Sequence, residues 1–344
     1  MKKIIIILTF VILAPIASKA QYAQYQFDKD SLDYPYFFPF LGKKTVEAGF
    51  DIPYPTGIGV NNFWAQQSII IENLAIGFTT NNVDIPLTDI SEVIEFDDVY
   101  SEVYSITVRP DIWIFPFLNV YGLFGKTFST TTTTVSSPIQ VESIVELAGN
   151  TYGVGITGAF GIDKYFLALD GNWAWTTMEA TSKPVQSSVF SQRLGRSFQL
   201  GNKPEQSIVF WLGAMRVKFK SETDGSLRLD EVLSDDVWER KDEIVDDYWA
   251  WYDELGPLDP KKKIADEVLT PIVDKIDAAD GSGVVHYRLD KRPKGEWNML
   301  VGGQYQLNKH WQVMAEGGFI GDRSSFLLSA NYRFGFKGGN KVRK

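Results

Sequence analysis

Hydrophobic and polar residues alternate along most of the chain. Between residues 296 and 307, for example, Trp297, Met299 and Val301 alternate with Asn298 and other polar or small residues. A period of two residues predicts strands with one apolar and one polar face. Gly, Asn, Asp and Pro separate these segments, as expected of turns. The pattern predicts about twelve strands, near residues 44–51, 57–66, 69–78, 101–113, 116–130, 149–161, 164–177, 188–199, 206–220, 294–307, 309–320 and 323–336.

The predicted fold is an all-β, antiparallel, up-and-down transmembrane β-barrel. Aromatic residues such as Tyr165, Trp173 and Trp311 stand at predicted strand ends, where a membrane barrel places its interfacial girdle. Strands of about 12 residues also suit a tilted crossing of the hydrocarbon layer, which needs roughly 9–11. A soluble β-sandwich that buries the same apolar faces is the alternative architecture. Because the first three strands are the least regular, ten strands is the alternative count.

One stretch, from Leu229 to Ala279, follows a helical period instead. Its apolar residues recur at spacings of three, four or seven, which is typical of amphipathic helices. Gly256 and Pro257 end a first helix, and Pro260 begins a second. The chain is therefore predicted to carry an α-helical hairpin as an insert in the barrel.

The helical hairpin is acidic, and strand parity predicts that it lies on the extracellular side. Residues 228–256 contain eleven acidic residues against three basic ones. One interpretation is a solvated cap that rests on the barrel rim, and another is a gate folded across or into the mouth. Trp249, Trp251 and Tyr252 are the candidate contact residues, toward the barrel, a carbohydrate or a partner protein.

Length, charge and cysteine content narrow the function classes. The chain has 344 residues, a formal net charge of −9, two His and no Cys. A protein this acidic is not built to bind nucleic acid, and without Cys it has no disulfide, thiol nucleophile or Cys-ligated metal. We therefore predict no cofactor, no metal site and no nucleic-acid partner.

The first residues indicate export. Lys2 and Lys3 precede an apolar run at residues 4–14, and Ser18-Lys19-Ala20 supplies a small-x-small cleavage site, the pattern of a secretory signal peptide. The predicted organisation is a signal peptide at 1–20, a periplasmic segment at 21–43, a barrel at 44–336 with the helical insert at 222–293 within it, and a basic tail at 337–344.

Side chains on the polar strand faces are predicted to line the barrel interior. The candidates are charged and amide residues on several strands: Arg109, Asp111, Asp170, Asn172, Arg216, Lys218, Gln304, Gln312 and Glu316, with Glu47 and Asp51 near the first strand. Opposite charges there form either a network that seals the bore or a polar path that selects small solutes. A narrow channel or transport protein for small polar solutes is the predicted function. A non-conducting barrel whose extracellular loops bind a partner protein or polysaccharide is the first alternative.

A lipid-modifying or hydrolytic barrel enzyme is the second alternative. His286 follows Ser282 in a glycine-rich loop, and His310 lies in a predicted tight turn. A nucleophile and base need a rigid site that excludes water, and such a loop supplies neither rigidity nor shelter. We therefore predict no catalytic residue and no enzymatic activity.

Two segments carry a family resemblance. The segment Tyr332-Arg333-Phe334-Gly335-Phe336 resembles the aromatic-ended last strand of Gram-negative outer-membrane barrels, which in that family is read by the barrel insertion machinery. The block Asp111-Ile112-Trp113, continued by Pro116-Phe117-Leu118-Asn119 and Tyr121, is similar to one in a group of largely uncharacterised exported barrels. The resemblance implies an outer-membrane location, with membrane lipid and the insertion machinery as partners, and it implies no particular activity.

Overall fold

The computed structural model describes residues 34–48, 52–162, 164–200, 205–219 and 222–337. The predicted signal peptide at 1–20 and most of the predicted segment at 21–43 lie outside the described residues, as do Asp51 and all of the basic tail except Lys337.

Thirteen strands and six α-helices form the described part of the chain. The strands are β1 Thr56–Thr79, β2 Asp84–Asp89, β3 Glu95–Phe115, β4 Leu118–Ser137, β5 Val141–Ile162, β6 Tyr165–Met178, β7 Val185–Gln199, β8 Ser207–Phe219, β9 Glu222–Arg228, β10 Val284–Pro293, β11 Trp297–Gln306, β12 Trp311–Phe319 and β13 Arg323–Phe334. The helices are α1 Gly42–Glu47, α2 Leu229–Val232, α3 Asp235–Glu239, α4 Lys241–Glu254, α5 Pro260–Ile264 and α6 Thr270–Asp277, with a π-helical turn, Ala265–Leu269, between α5 and α6. Of the helices in this part of the chain, none is both long and apolar enough to span a membrane.

Ten of the described strands close into a barrel. Each pairs antiparallel with the next in the order β1, β3, β4, β5, β6, β7, β8, β11, β12, β13, and β13 returns to pair with β1 from Thr56 to Gln67. Strands β2, β9 and β10 stand outside this ring. The predicted antiparallel, up-and-down barrel is therefore confirmed, with the alternative count of ten strands.

The prediction of twelve strands was wrong at two places. Residues 42–47 form α1, where exposed Glu47 approaches Lys43 at 3.9 Å, instead of a first strand with Glu47 facing inward. The predicted strands 57–66 and 69–78 are one continuous strand, β1. The polar residues between them contain no turn-forming Gly, Pro, Asn or Asp, and Gln67 keeps its ladder partner Arg323.

The outer face of the barrel is apolar. All ten barrel strands expose large apolar side chains, and on β8 Phe210 and Leu212 are 58% and 61% exposed. Soluble monomers rarely expose a continuous apolar patch of more than a few hundred Å², so this surface belongs in lipid. On β6, exposed Tyr165 and Trp173 are eight residues apart. That is about 26 Å along the strand, or roughly 20 Å along the membrane normal at a tilt of about 40°, somewhat less than the ~25 Å apolar band between two aromatic girdles.

The two ends of the barrel differ. At one end, here called the turn end, β1 begins, β13 ends, and only a few residues separate β3 from β4, β5 from β6, β7 from β8 and β11 from β12. The opposite end, the loop end, carries the long connection between β8 and β11. Strands β1, β3, β4 and β5 have 24, 21, 20 and 22 residues, roughly twice what a membrane crossing needs, and they extend beyond the lipid at the loop end.

These extensions and the insert build a second tier of wall. Beyond its pairing with β13, β1 pairs with β10 from Ile69 to Thr79, and β2, β1, β10 and β9 form a four-stranded sheet. A bridge between Thr181 and Gly225 joins β9 to the loop after β6. The wall therefore continues above the short strands β11 to β13.

The helices of the insert fill this upper tier from within. Val268 packs in one cluster with Leu74, Ile71 and Leu289, which belong to the inner face of the wall. Leu229 packs in another with Val285. Pro271 cannot donate a backbone hydrogen bond, and the π-helical turn comes just before it. The hairpin thus folds into the mouth, where one of the two interpretations from sequence placed it, and does not rest on the rim.

Candidate functional site

The barrel interior holds an elongated, partly open cavity of about 940 Å³. It is lined by residues from the turn end, such as Lys309, and by Leu233 of the helical insert at the other end. Among the described residues that line it, seven are cationic and three are carboxylates: Arg109, Lys164, Arg193, Lys291, Lys309, Arg323 and Arg333 against Asp111, Asp170 and Glu316. The interior is therefore positive in a protein whose net charge is −9.

A bidentate ion pair holds one side of the mid-interior. Arg193 on β7 donates from Nε and Nη2 to the Glu316 carboxylate on β12, at 2.6 and 2.8 Å. The Trp211 indole on β8 donates to the same carboxylate at 2.6 Å. Gly302 on β11 makes room, since a Cβ there would lie 2.6 Å from the Trp211 ring. Glu316 is 5% exposed, and its charge is fully engaged by these donors.

Beside this ion pair, Asp170 on β6 forms a second cluster in the mid-interior. The Tyr121 hydroxyl donates to both carboxylate oxygens at 3.0 Å, and the Thr157 hydroxyl donates at 2.6 Å. The Arg109 guanidinium lies 3.8 Å from the centre of the Tyr121 ring, in cation–π contact. Asp170 also acts electrostatically on Arg193. Arg109, Tyr121, Asp170, Arg193, Trp211 and Glu316 are called the charge belt below; its two cations balance its two carboxylates.

A second ion pair lies nearer the turn end. Arg333 donates from Nη2 to the Asp111 carboxylate at 3.0 Å and from Nε to the Tyr54 carbonyl at 2.9 Å. Asn119 and Asn331 also donate to Asp111, at 2.8 and 3.1 Å. Asp111 is 5% exposed and Arg333 is 4% exposed. This network is charge-neutral and ties β3, β4 and β13 together.

Between the charge belt and the helical cap the cavity changes character. Its walls there are largely apolar, with side chains such as Ile71, Val103 and Leu289. Two cations, Lys291 on β10 and Arg323 on β13, line this part, and no carboxylate among the described residues does. We call this region the upper chamber.

Seven of the nine predicted interior residues line the cavity, and two do not. The seven are Arg109, Asp111, Asp170, Asn172, Gln304, Gln312 and Glu316. Arg216 and Lys218 lie on the outer face of β8 and approach Glu296 at 2.6 and 3.8 Å, so the interior assignment of these two residues was wrong. The cause is that β8 is apolar on both faces near Trp211, so that alternation alone does not decide which face is inside.

The three predicted contact aromatics of the insert have different surroundings. Trp249 is 38% exposed on the acidic outer face of α4. Trp251 is partly buried against Tyr248 in the cap core. The Tyr252 hydroxyl donates to Asp266, and Lys262 lies 4.5 Å from the Tyr252 ring centre. Trp249 is thus the one of the three that faces solvent.

Neither histidine lies in the cavity. His286 is within 2.7 Å of the Ser226 hydroxyl and 3.0 Å of the Thr79 hydroxyl on the upper-tier sheet, and Ser282 is not among its partners. His310 contacts the Arg333 carbonyl at 2.7 Å at the turn end. In the described residues, no group of three or more His, Cys, Asp or Glu is placed to hold a metal ion.

Sequence reasoning missed six of the residues that the interior networks and the upper chamber use. These are Tyr121, Arg193, Trp211, Lys291, Arg323 and Arg333. Arg193 could have been predicted from the alternation of the strand, because Phe190, Leu194 and Phe198 are apolar and four residues apart, which places Arg193 on the other face. Lys291 carried no such signal, since β10 belongs to the insert and not to the membrane barrel.

Comparison with known proteins gives only distant fold matches. No protein-family model matches the chain, and no curated protein matches it. Solved structures similar to it include the β domain of the Bordetella autotransporter BrkA (12% identity, TM-score 0.31, covering 81% of this chain and 100% of that one). Others are the transport unit of the autotransporter AIDA-I from Escherichia coli (8%, 0.34, 82% and 90%) and an outer membrane channel from Pseudomonas putida F1 (11%, 0.27, 83% and 97%). Superpositions this loose carry no argument, so the fold assignment rests on the strand pairing of the chain itself.

Proposed function

We propose that this chain is an outer-membrane transport barrel in which the helical insert closes the mouth and controls entry of a small solute. A closed barrel with an apolar exterior supports the membrane location, because lipid tolerates no unpaired sheet edge. Bacterial barrels carry short turns on the periplasmic side and longer loops outside the cell. The loop end, with its cap, is accordingly extracellular.

The main support for this proposal is that the helical insert packs against the inner face of the wall. Five of its side chains, Val237, Ile244, Tyr248, Val268 and Ile276, are at most 2% exposed. Val237, Ile244 and Ile276 pack largely on one another within the insert, whereas Val268 with Leu74 and Leu229 with Val285 join the insert to the wall. At about 1.5–3 kcal/mol for each buried side chain, the contacts to the wall contribute a few kcal/mol. In this proposal the insert occupies the mouth of the resting barrel, and transport requires it to move.

Ionic conductance in planar bilayers tests the cap. Arg228 and Val284 are paired neighbours on β9 and β10, so an Asn-Gly turn in place of residues 229–283 removes the helices and keeps the wall. We expect the full chain to conduct very little and the shortened chain to conduct steadily. Equal conductance of the two chains would refute the proposal.

A single substitution tests whether the conductance depends on packing of the cap, because it disturbs the cap without shortening the chain. Val268→Asp puts a carboxylate into the cap core, where Val268 is fully buried. We expect it to raise conductance with all residues present. Glu267→Gln, on the exposed side of the same turn, is the matched control and should conduct as the unaltered chain does.

The second candidate is a non-conducting barrel that binds a partner through the cap. It is favoured by Trp249, exposed beside Asp246, Asp253 and other acidic residues of α4. A shortened chain that stays closed under all voltages would favour this candidate over transport.

We further propose that the chain is not an enzyme. His286 and Ser226 lie on the upper-tier sheet outside the cavity, and Ser226 is exposed to solvent. A hydrolytic activity that is lost in His286→Ala would contradict this.

A further inference from the structure

The upper chamber holds two cations that lack a counter-charge. Lys291 pairs with Ile71 of β1, and Arg323 pairs with Gln67 of β1. The two partner positions on β1 are four residues apart, and both side chains line the cavity. That separation is about 13 Å along the strand, which two long side chains can share. Elsewhere in the cavity the carboxylates are hydrogen-bonded to tyrosine, tryptophan or arginine donors.

Lys291 is the less supported of the two. Within the described residues it makes no hydrogen bond and no ion pair, and burial lowers the pKa of its ammonium below the ordinary value of 10.5. Lys291 is half-buried and lines the cavity, and an ammonium that is partly removed from water gains from an anionic partner. A structural lysine would be expected to have an acid within reach, as Arg333 has Asp111.

Arg323 is fixed in place with one nitrogen to spare. It is 3% exposed, and its Nε donates to the Gln67 side chain at 2.8 Å while Nη2 reaches the Gly295 carbonyl at 3.4 Å. Its Nη1 has no hydrogen-bond partner among the described residues and almost no accessible surface, so a ligand reaches it only when a neighbouring side chain moves. An unsatisfied buried donor on a charged group is costly and calls for an acceptor.

The side chains around the two cations indicate that the ligand also has an apolar part. Ile69, Ile71, Phe96, Val99, Val103 and Leu289 line this part of the cavity. An inorganic anion would leave these apolar side chains without contact, whereas an aliphatic chain would gain from burial against them.

We propose that the upper chamber binds a small organic anion, a carboxylate on an aliphatic chain, with the carboxylate at Lys291 and Arg323 and the chain against the apolar wall. This inference rests on the proposed transport function and names its substrate class. Charge-assisted hydrogen bonds from Arg and Lys are the strong form of carboxylate recognition.

Calorimetric binding of decanoate to the full chain in lipid nanodiscs tests this proposal, with empty nanodiscs as the blank. We expect decanoate to bind, and the uncharged decanol of the same chain length to bind markedly more weakly. Lys291→Met should weaken decanoate binding about tenfold or more, the range expected for loss of one charged hydrogen bond, and Lys291→Arg should retain binding. Lys294→Met, an exposed lysine three residues along the chain, is the matched control.

The outcomes separate this inference from the function on which it rests. Because Lys291 has no partner to lose, Lys291→Met should fold as the unaltered chain does; Arg323→Met could disturb Gln67 and serves only as support. Equal decanoate affinity in Lys291→Met and the unaltered chain, or equal affinity for decanoate and decanol, overturns the ligand assignment. Unchanged conductance after removal of the cap would overturn the transport function instead, whatever decanoate does.

Discussion

The buried pair Arg193–Glu316 gives the most quantitative prediction. Glu316→Gln removes the charge that receives two donors from Arg193 and one from Trp211, at 2.6–2.8 Å. The Arg193 guanidinium, 18% exposed, then keeps only its interaction with Asp170 and its hydrogen bond to Ser191. Breaking a buried pair by removing one partner typically costs about 3–5 kcal/mol, whereas replacing both partners by apolar residues is often close to neutral. We expect Glu316→Gln to lose about 3 kcal/mol of unfolding free energy. The double variant Arg193→Met/Glu316→Leu should recover most of that loss.

Urea unfolding of the refolded barrel, followed by tryptophan fluorescence, measures the four corners of this double-mutant cycle. Arg292 and Glu72 form the control, since they approach at 3.0 Å but are 53% and 48% exposed on the upper-tier sheet, beyond the lipid. An exposed pair contributes about 0–1 kcal/mol. If the coupling between Arg193 and Glu316 does not exceed that of the control pair, the charge belt is not a structural element of the interior.

Three further predictions concern single residues. Gly302→Val should displace the Trp211 ring and lower the unfolding free energy by about 1–3 kcal/mol; unchanged stability in urea would contradict the packing described. Burial lowers the pKa of Lys291, so its ammonium loses its charge as pH rises through that lowered pKa. The decanoate affinity measured by calorimetry should therefore fall between neutral pH and pH about 10. An affinity that does not change with pH would contradict this prediction. Trp249→Ala should change the unfolding free energy by less than about 0.5 kcal/mol, whereas Trp251→Ala should cost roughly 2 kcal/mol or more; the reverse order would show that the cap packs differently.

Alternation was sufficient to predict the barrel because each lipid-facing position must be apolar. On β11 to β13 the predicted outward residues, such as Trp297, Val313 and Phe326, are the exposed ones. The prediction failed where both faces of a strand are apolar, as in β8, and there Arg216 and Lys218 were assigned to the wrong side. A period of two residues shows which face of a strand points into the barrel only when one face is apolar and the other is polar.

The upper tier could not be predicted from local pattern. A period of two residues is the same in a strand within the membrane and in its continuation above it. The sequence therefore does not show that residues 57–66 and 69–78 belong to one strand, β1. The helical insert was recognisable from its own period, but its position inside the mouth depends on contacts between Val268 and Leu74, far apart in the chain.

The partners within the interior depend on barrel closure. Arg193 and Glu316 are 123 residues apart in sequence and are separated in the wall by β8 and β11. Their contact follows from the register of four strands and from the small residue at Gly302. Sequence reasoning could place Glu316 on an inward face, but it could not name the donor that meets it.

Labelling of single cysteines from outside the cell tests most directly whether the cap closes the barrel. The chain contains no Cys, so Val103→Cys, in the cavity wall, can be compared with Ser226→Cys, exposed on β9. The reagent is a polyethylene glycol maleimide too large to cross the outer membrane. We predict that Ser226→Cys reacts in both the full and the shortened chain, while Val103→Cys reacts only when residues 229–283 are replaced by the Asn-Gly turn. Rapid labelling of Val103→Cys in the full chain, or none in the shortened chain, would contradict a mouth closed by the helical insert.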